Sequence, residues 1–254
     1  MSKIGEIRVM KCGEEAEIIE YKNNSYITIK FLKTGELINC RYEQFKNGTV
    51  KSHFTPTVYG VGIVGLEITA TGGRNVKPYI KWCDMLKRCY DKKEHRRYPK
   101  YKSCTVCDEW LYYPNFKKWY EENYYEIEGQ KMTLDKDILI KGNKVYSPDT
   151  CMIVPSNINV MFTNSSRARG KYPIGVNYRE KEKGKFRARC SVFNKESQEF
   201  KRKNLGLYNT PEEAFQVYKS AKEKSIKDVA DYYKEQIPEK LYNAMYNYKV
   251  EITD

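Results

Sequence analysis

"KFRARC", residues 185–190, has the clearest strand pattern in the C-terminal third of the chain. Its side chains alternate in character, since Lys185, Arg187 and Arg189 share one face of a predicted strand and apolar side chains share the other. The apolar face can pack on a helix, which leaves the opposite face to present a row of cations. This segment therefore predicts the central strand of a sheet that has one packed face and one cationic face.

Two more strand candidates flank this segment, at residues 174–180 and 200–208. A helix is predicted after them because Thr210 suits the N-cap, Pro211 the first helical position and Glu213 the capping box. The sequence therefore predicts a three-stranded antiparallel sheet packed on a helix. Four residues of the outer strands are expected to extend the row of cations that begins with Lys185, Arg187 and Arg189: Tyr178, Arg179, Lys201 and Arg202.

The charge of the whole chain favours a polyanionic partner. Its 254 residues include 46 Lys+Arg against 33 Asp+Glu, a net charge of +13 at pH 7. Nucleic acid is the commonest large polyanion inside cells, and a two- or three-stranded ribbon fits the major groove of DNA. Double-stranded DNA is therefore the predicted partner. Neither an apolar run of membrane-spanning length nor a charged-then-apolar leader is found, so we expect an intracellular, cytoplasmic protein without a membrane span.

The eight cysteines do not form a metal-binding framework. Cys104 and Cys107 have the C-x-x-C spacing of a zinc knuckle, but no second pair of that spacing follows, and the chain has only two histidines. We expect reduced thiols and not a zinc site.

Residues 1–65 predict a small β-barrel of the Tudor type, followed by a glycine-rich connector at 57–65. Three segments rich in β-branched and aromatic residues are strand candidates, separated by Asn- and Gly-containing turns: AEIIEY, SYITIKFL and LINCRYEQF. Because such barrels commonly bind peptides or nucleic acid, this part is a candidate site for a protein partner.

The middle of the chain, residues 66–162, predicts a mainly helical core. One amphipathic helix begins at Pro78 and another near Pro114, with a basic loop between them. Residues 131–162 predict strand, turn, strand and a helix starting near Ser156. A basic linker at 163–173 then leads to the C-terminal domain, 174–254, so the expected fold is α+β and multidomain.

The C-terminal domain resembles the APETALA2/ethylene-response-factor DNA-binding domain over about residues 174–233. The matching residues are Gly175-Val176, NYREKEKGKFRARC, Leu205-Gly206 and YNTPEEAFQVY. That family lays its sheet in the major groove. The resemblance implies that Arg179, Arg187 and Arg189 contact bases or backbone, and that Lys185 and Arg202 contact phosphates.

The middle of the chain resembles the phage HNH (ββα-metal) homing endonucleases. The segments that carry the resemblance, in family order, are KWCDMLKRCY, YKSCTVCDEWLYYPNFKKWY, LDKDI, YSPDTC and VPSNIN. It implies a metal-dependent DNA endonuclease in which Asp135 and Asn159 bind Mg²⁺ or another divalent cation. Asp137 and Asn157 are the substitutes if the register differs.

The chain departs from this family at the catalytic base, because Lys136 stands where a histidine is expected. An ordinary lysine is protonated at neutral pH and cannot accept a proton from water, although its charge can stabilise a phosphate in the transition state. Asp137 or bulk water would then accept the proton. In the purely structural interpretation, Asp135 and Asp137 close a turn and Asn159 begins a helix.

Three functions follow from these patterns. The first is a site-directed DNA endonuclease acting in a phage-infected bacterial host. The second is a catalytically inactive DNA-binding protein that regulates transcription or blocks a host enzyme. The third is an adaptor or inhibitor that binds a host protein through the N-terminal barrel.

Overall fold

The computed structural model describes residues 3–163, 171–182, 184–197 and 199–254. The fold is a mixture of helices and sheets, in agreement with the predicted α+β class. The chain divides into two compact units, Met1–Tyr124 with Asn143–Thr150, and Tyr125–Gly142 with Cys151–Asp254. The predicted boundaries at 65, 162 and 173 do not coincide with this division. Most of the predicted linker, residues 164–170, lies outside the described residues.

The strands of the described residues, in chain order, are β1 (Ile7–Val9), β2 (Glu15–Asn23), β3 (Tyr26–Phe31), β4 (Leu37–Cys40), β5 (Ala70–Thr71), β6 (Arg74–Asn75), β7 (Thr105–Val106), β8 (Met132–Asp135), β9 (Val145–Tyr146), β10 (Met152–Pro155), β11 (Val176–Arg179), β12 (Lys185–Asn194) and β13 (Glu199–Tyr208). The α-helices are α1 (Tyr42–Lys46), α2 (Lys77–Tyr90), α3 (Lys92–Arg97), α4 (Tyr113–Asn123), α5 (Ser156–Phe162), α6 (Pro211–Tyr233) and α7 (Glu239–Tyr246). None of the described helices is both long enough and apolar enough to span a bilayer.

The N-terminal sheet is antiparallel, with strand order β1-β2-β3-β4. Alternate residues of β3 point inward, so that Ile27, Ile29 and Phe31 are buried against Phe45 of α1. The predicted third strand is shorter than expected, because α1 takes over its C-terminal half. No pairing among the described residues joins β1 to β4, and the predicted closed barrel is therefore not confirmed.

Aromatic side chains hold α2 and α4 together in the first unit. Trp82, Trp110 and Phe116 are fully buried, and Trp82 Nε1 donates to the backbone oxygen of Trp110 at 2.7 Å. The glycine-rich connector packs on this core, since a Cβ on Gly62 would lie 2.5 Å from Leu86 Cδ1. Gly62 therefore allows a close approach of backbone to side chain.

The second unit begins with a strand–strand–helix element. β8 pairs antiparallel with β10, placing Thr133 opposite Val154 and Asp135 opposite Met152. α5 follows β10 directly, as the sequence predicts. Its Ile158 shares a core with side chains from β10, α6 and α7, including Met152, Val154, Ile226, Val229, Leu241 and Met245.

The C-terminal sheet has the antiparallel order β11-β12-β13, and α6 packs against it. α6 starts with the predicted capping box, in which Thr210 Oγ1 accepts from Glu213 N at 3.2 Å and Glu213 Oε2 accepts from Thr210 N at 3.4 Å. Ala188 and Cys190 of β12 are buried in the core beneath α6. The opposite face of β12 is therefore the outer face of the sheet.

Candidate functional site

The outer face of the C-terminal sheet carries basic side chains from all three strands. Lys185, Arg187 and Arg189 follow one another at every second position of β12. Arg179 of β11 lies directly opposite Lys185. Arg202 of β13 lies opposite Ser191, the next outward position after Arg189. We call Arg179, Lys185, Arg187, Arg189 and Arg202 the cationic row.

The guanidinium groups of this row are close enough to repel one another. Arg202 has the largest effect in lowering the pKa of Arg189, followed by partial loss of hydration and then by Arg187 and Arg179. Arg179 pairs with Glu182 at 3.2 Å. In the part of the chain that the structure describes, no ion pair involves Arg187, Arg189 or Arg202. The row is thus a concentration of positive charge that the chain itself leaves mostly uncompensated.

Two asparagines that sequence reasoning missed lie beside the arginines. Asn177 is opposite Arg187, and Asn204 is opposite Arg189. An asparagine amide can make paired hydrogen bonds to adenine in the major groove. Asn177 could have been found from its spacing of two from Arg179. Asn204 could likewise have been found from its spacing of two from Arg202, although its pairing with Arg189 could not, because the β12–β13 register shifts between Ala188 and Arg189.

The structure does not bring two of the predicted residues into the row. Tyr178 is opposite Phe186 and packs on its ring, with 5.3 Å between the ring centroids. Lys201 is opposite Val192, a side chain that packs toward α6. Each of them adjoins an arginine of the row, and successive strand residues point to opposite faces of a sheet. Their predicted position in the row was therefore wrong.

Asp135, the predicted metal ligand of β8, closes a turn. Its Oδ1 accepts from the backbone nitrogens of Asp137 at 2.9 Å and Ile138 at 2.8 Å. Burial and, secondly, the neighbouring Asp137 carboxylate raise the pKa of Asp135. The Lys136 side chain is buried, and its Nζ lies 3.1 Å from Asp137 Oδ2. These contacts match the turn that the purely structural interpretation predicts.

Asn159 reaches the same face of β8 as Asp135. Its Nδ2 donates to Thr133 Oγ1 at 3.2 Å, and Thr133 precedes Asp135 by two residues, or about 7 Å along a strand. Asn157, the alternative residue, instead donates to Tyr233 Oη at 2.6 Å. Of the two asparagines, Asn159 is thus the one directed toward the strand that bears Asp135.

Asp135 and Asn159 each keep one side-chain oxygen outside the hydrogen bonds described for them. Both hydrogen bonds described for the Asp135 carboxylate involve Oδ1, and the Asn159 bond to Thr133 uses Nδ2. One oxygen of each side chain is therefore free of these bonds, and Mg²⁺ binds proteins through one or two such oxygens while keeping several waters. Among the described residues, no group of three or more His, Cys, Asp or Glu side chains gathers as a metal site.

No protein-family model, curated protein or solved structure matches the chain significantly. The interpretation of both sites consequently depends on their own geometry and charge.

Proposed function

We propose that the chain binds double-stranded DNA through the cationic row of the C-terminal sheet. The uncompensated arginines carry this proposal, because their mutual repulsion is relieved when a polyanion binds. The opposite face of the sheet is covered by α6, so one face remains for a ligand. A sheet with a single polar face fits the major groove, which is about 12 Å wide.

The two arginines at the centre of the sheet are the proposed base-reading residues. Arg187 and Arg189 belong to the central strand, and arginine can bind guanine O6 and N7 through two hydrogen bonds. Arg187 Nε is buried, so in this proposal the two terminal nitrogens of its guanidinium group make the base contact. In this proposal Lys185, at the start of β12, and the outer-strand residues Arg179 and Arg202 contact phosphates.

Alanine at either central arginine tests this role. We expect Arg187→Ala and Arg189→Ala each to weaken binding by about 1–3 kcal/mol, the discrimination value of a bidentate base contact, and to relax sequence preference at one position. The measurement is fluorescence anisotropy from 50 to 200 mM salt, on a duplex selected from a random library. Lys240→Ala removes one exposed charge from α7 and is the control. Equal affinities of the three variants would rule out the proposed interface.

A second candidate function is metal-dependent cleavage of DNA. The observation that favours it is the approach of Asn159 and Asp135 to one face of a strand–strand–helix element. Asp135 and Asn159 would hold the cation, which would stabilise the leaving oxygen of the scissile phosphodiester. The Lys136 side chain would stabilise phosphate charge, and Asp137 or solvent would accept the proton.

Cleavage can be tested separately from binding with supercoiled plasmid and Mg²⁺ or Mn²⁺. We expect slow nicking by the wild type and a loss of roughly 100-fold or more in Asp135→Asn, the order of effect of removing one preorganised charge-stabilising group. Asp149→Asn changes an exposed carboxylate and is the control. Lys136→His should increase the rate by restoring a base. Absence of cleavage by the wild type and by Lys136→His would exclude this second function and leave the DNA-binding proposal intact.

A further inference from the structure

The segment predicted as a basic loop is a helix followed by a turn, and it presents a dense group of cations. α3 covers Lys92–Arg97, and a 3-10 turn follows at Pro99–Tyr101. Six basic side chains of this segment are exposed, which we call the α3 surface: Lys92, Lys93, Arg96, Arg97, Lys100 and Lys102. Between residues 92 and 102 the only carboxylate is Glu94.

The nearby carboxylates are engaged elsewhere. Glu94 pairs with Lys87 of α2 at 3.6 Å, and Asp91 Oδ1 accepts from the backbone nitrogen of Lys93 at 2.7 Å to cap α3. Within the described residues, no ion pair includes a member of the α3 surface. Tyr98 adds an exposed ring, and Arg97 lies over it at 5.2 Å from the centroid.

The placement of these charges does not serve the stability of α3. Lys92 with Arg96, and Lys93 with Arg97, are like-charge pairs at i,i+4, which destabilise a helix. Lys92 and Lys93 in the first turn also oppose the helix dipole, whereas Arg96 and Arg97 in the last turn complement it. No residue of α3 is buried. The helix is held from outside by the Asp91 cap and by His95 Nε2, which donates to the backbone oxygen of Arg88 at 3.0 Å.

We infer that the α3 surface is a second DNA-contacting site, one that binds the phosphate backbone without reading bases. This inference rests on the proposed DNA binding by the cationic row and adds a contact in the other unit. Residues at i,i+4 of a helix have Cβ atoms about 5–6 Å apart. The lysines and arginines of this six-residue helix therefore form a compact group of cations that can contact neighbouring phosphates of one duplex. Such contacts add affinity and salt dependence but no sequence preference.

The test compares two variants of the chain, each of which lacks four positive charges. One variant is Lys92→Ala/Lys93→Ala/Arg96→Ala/Arg97→Ala. The control is Lys11→Ala/Lys30→Ala/Lys33→Ala/Lys46→Ala, which takes the same four charges from exposed positions of the N-terminal sheet region. Alanine keeps the helix propensity of α3, and thermal unfolding should show the first variant to be no less stable than the wild type.

Binding to the selected duplex and to a scrambled one is then measured against salt. We expect the α3 variant to lose roughly tenfold or more in affinity for both duplexes and to lower the salt slope by about 3–4, since each phosphate contact adds about 0.9. The control should change little, and the preference for the selected duplex should persist in both. If the α3 variant behaved like the control, this inference would be overturned and the proposed DNA binding by the cationic row would stand. No DNA binding by the wild type would overturn it together with the proposed function. Unchanged DNA binding, with binding to anionic phosphatidylserine vesicles lost, would assign the surface to a membrane instead.

Discussion

Reversing two charges of the cationic row, as Arg189→Glu with Arg202→Glu, is expected to abolish specific DNA binding. The variant replaces two cations with two carboxylates, and like charges brought together at an interface cost several kcal/mol. A loss of several kcal/mol corresponds to roughly 100-fold to 1,000-fold in affinity. Anisotropy titration of the selected duplex at fixed salt measures this loss.

The same sheet offers a matched control for this prediction. Lys201 and Lys203 of β13 lie opposite Val192 and Cys190, whose side chains face α6. Lys201→Glu with Lys203→Glu therefore makes the same change in net charge on the other face of the same strand. We expect this control to retain most of its affinity. If both double variants lost binding equally, total charge and not the cationic row would explain the interaction.

The reversal should not weaken the fold. Arg189 is half-buried on the outer face of the sheet, and Arg202 is exposed. Replacing both arginines also removes the repulsion between their guanidinium groups, which lowers the pKa of Arg189 in the wild type. Thermal unfolding of Arg189→Glu/Arg202→Glu should therefore match that of the wild type, which separates a loss of binding from a loss of structure.

The features that sequence predicted well are those set by local rules. The alternation in residues 185–190 is a consequence of strand geometry and correctly assigns Ala188 and Cys190 to the buried face. The start of α6 follows from its Thr210 and Glu213 capping box. Both signals involve residues close together in the chain, so no knowledge of distant contacts is needed.

The features that sequence missed either carry no periodic signal or depend on contacts between distant segments. α3 has no apolar period, and the Asp91 cap and the contact of His95 with Arg88 maintain it. β7 and β9 form a parallel pair of two-residue strands about 40 residues apart, too short for a periodic signal. The division into two units likewise depends on which segments pack together.

The metal role of Asp135 and Asn159 stays a prediction that comes from the resemblance to HNH nucleases. Whether the two side chains reach one face depends on the register of β8 with β10 and on the bond from Asn159 to Thr133. Neither the turn contacts of Asp135 nor the burial of Lys136 can be read from the letters LDKDI. The sequence therefore predicts the donor types, and tertiary structure determines their orientation.

Gly175→Ala is expected to destabilise the C-terminal domain by about 3 kcal/mol, the sum of a positive-φ cost and an overpacking cost. Gly175 has φ +78°, and a Cβ there would lie 2.0 Å from Cδ2 of Tyr218 on α6. The Tyr218 ring is buried and cannot swing away cheaply, so β11 and α6 must move apart. Gly175 O also accepts from Arg189 N at 2.8 Å, which transmits the shift to the cationic row. Urea unfolding measures the loss in free energy, and DNA affinity should fall with it.

Gly129→Ala separates the two causes of this effect. Gly129 lies in the same unit with φ +72°, but its added Cβ would meet no atom within 4 Å. It therefore bears only the backbone cost, about 1–2 kcal/mol. A double-mutant cycle of Gly175→Ala with Tyr218→Ala should show favourable coupling, because truncating the ring removes the clash. If Gly175→Ala were no more destabilising than Gly129→Ala, and the cycle showed no coupling, then the close packing of Gly175 on Tyr218 would not be what fixes β11 against α6.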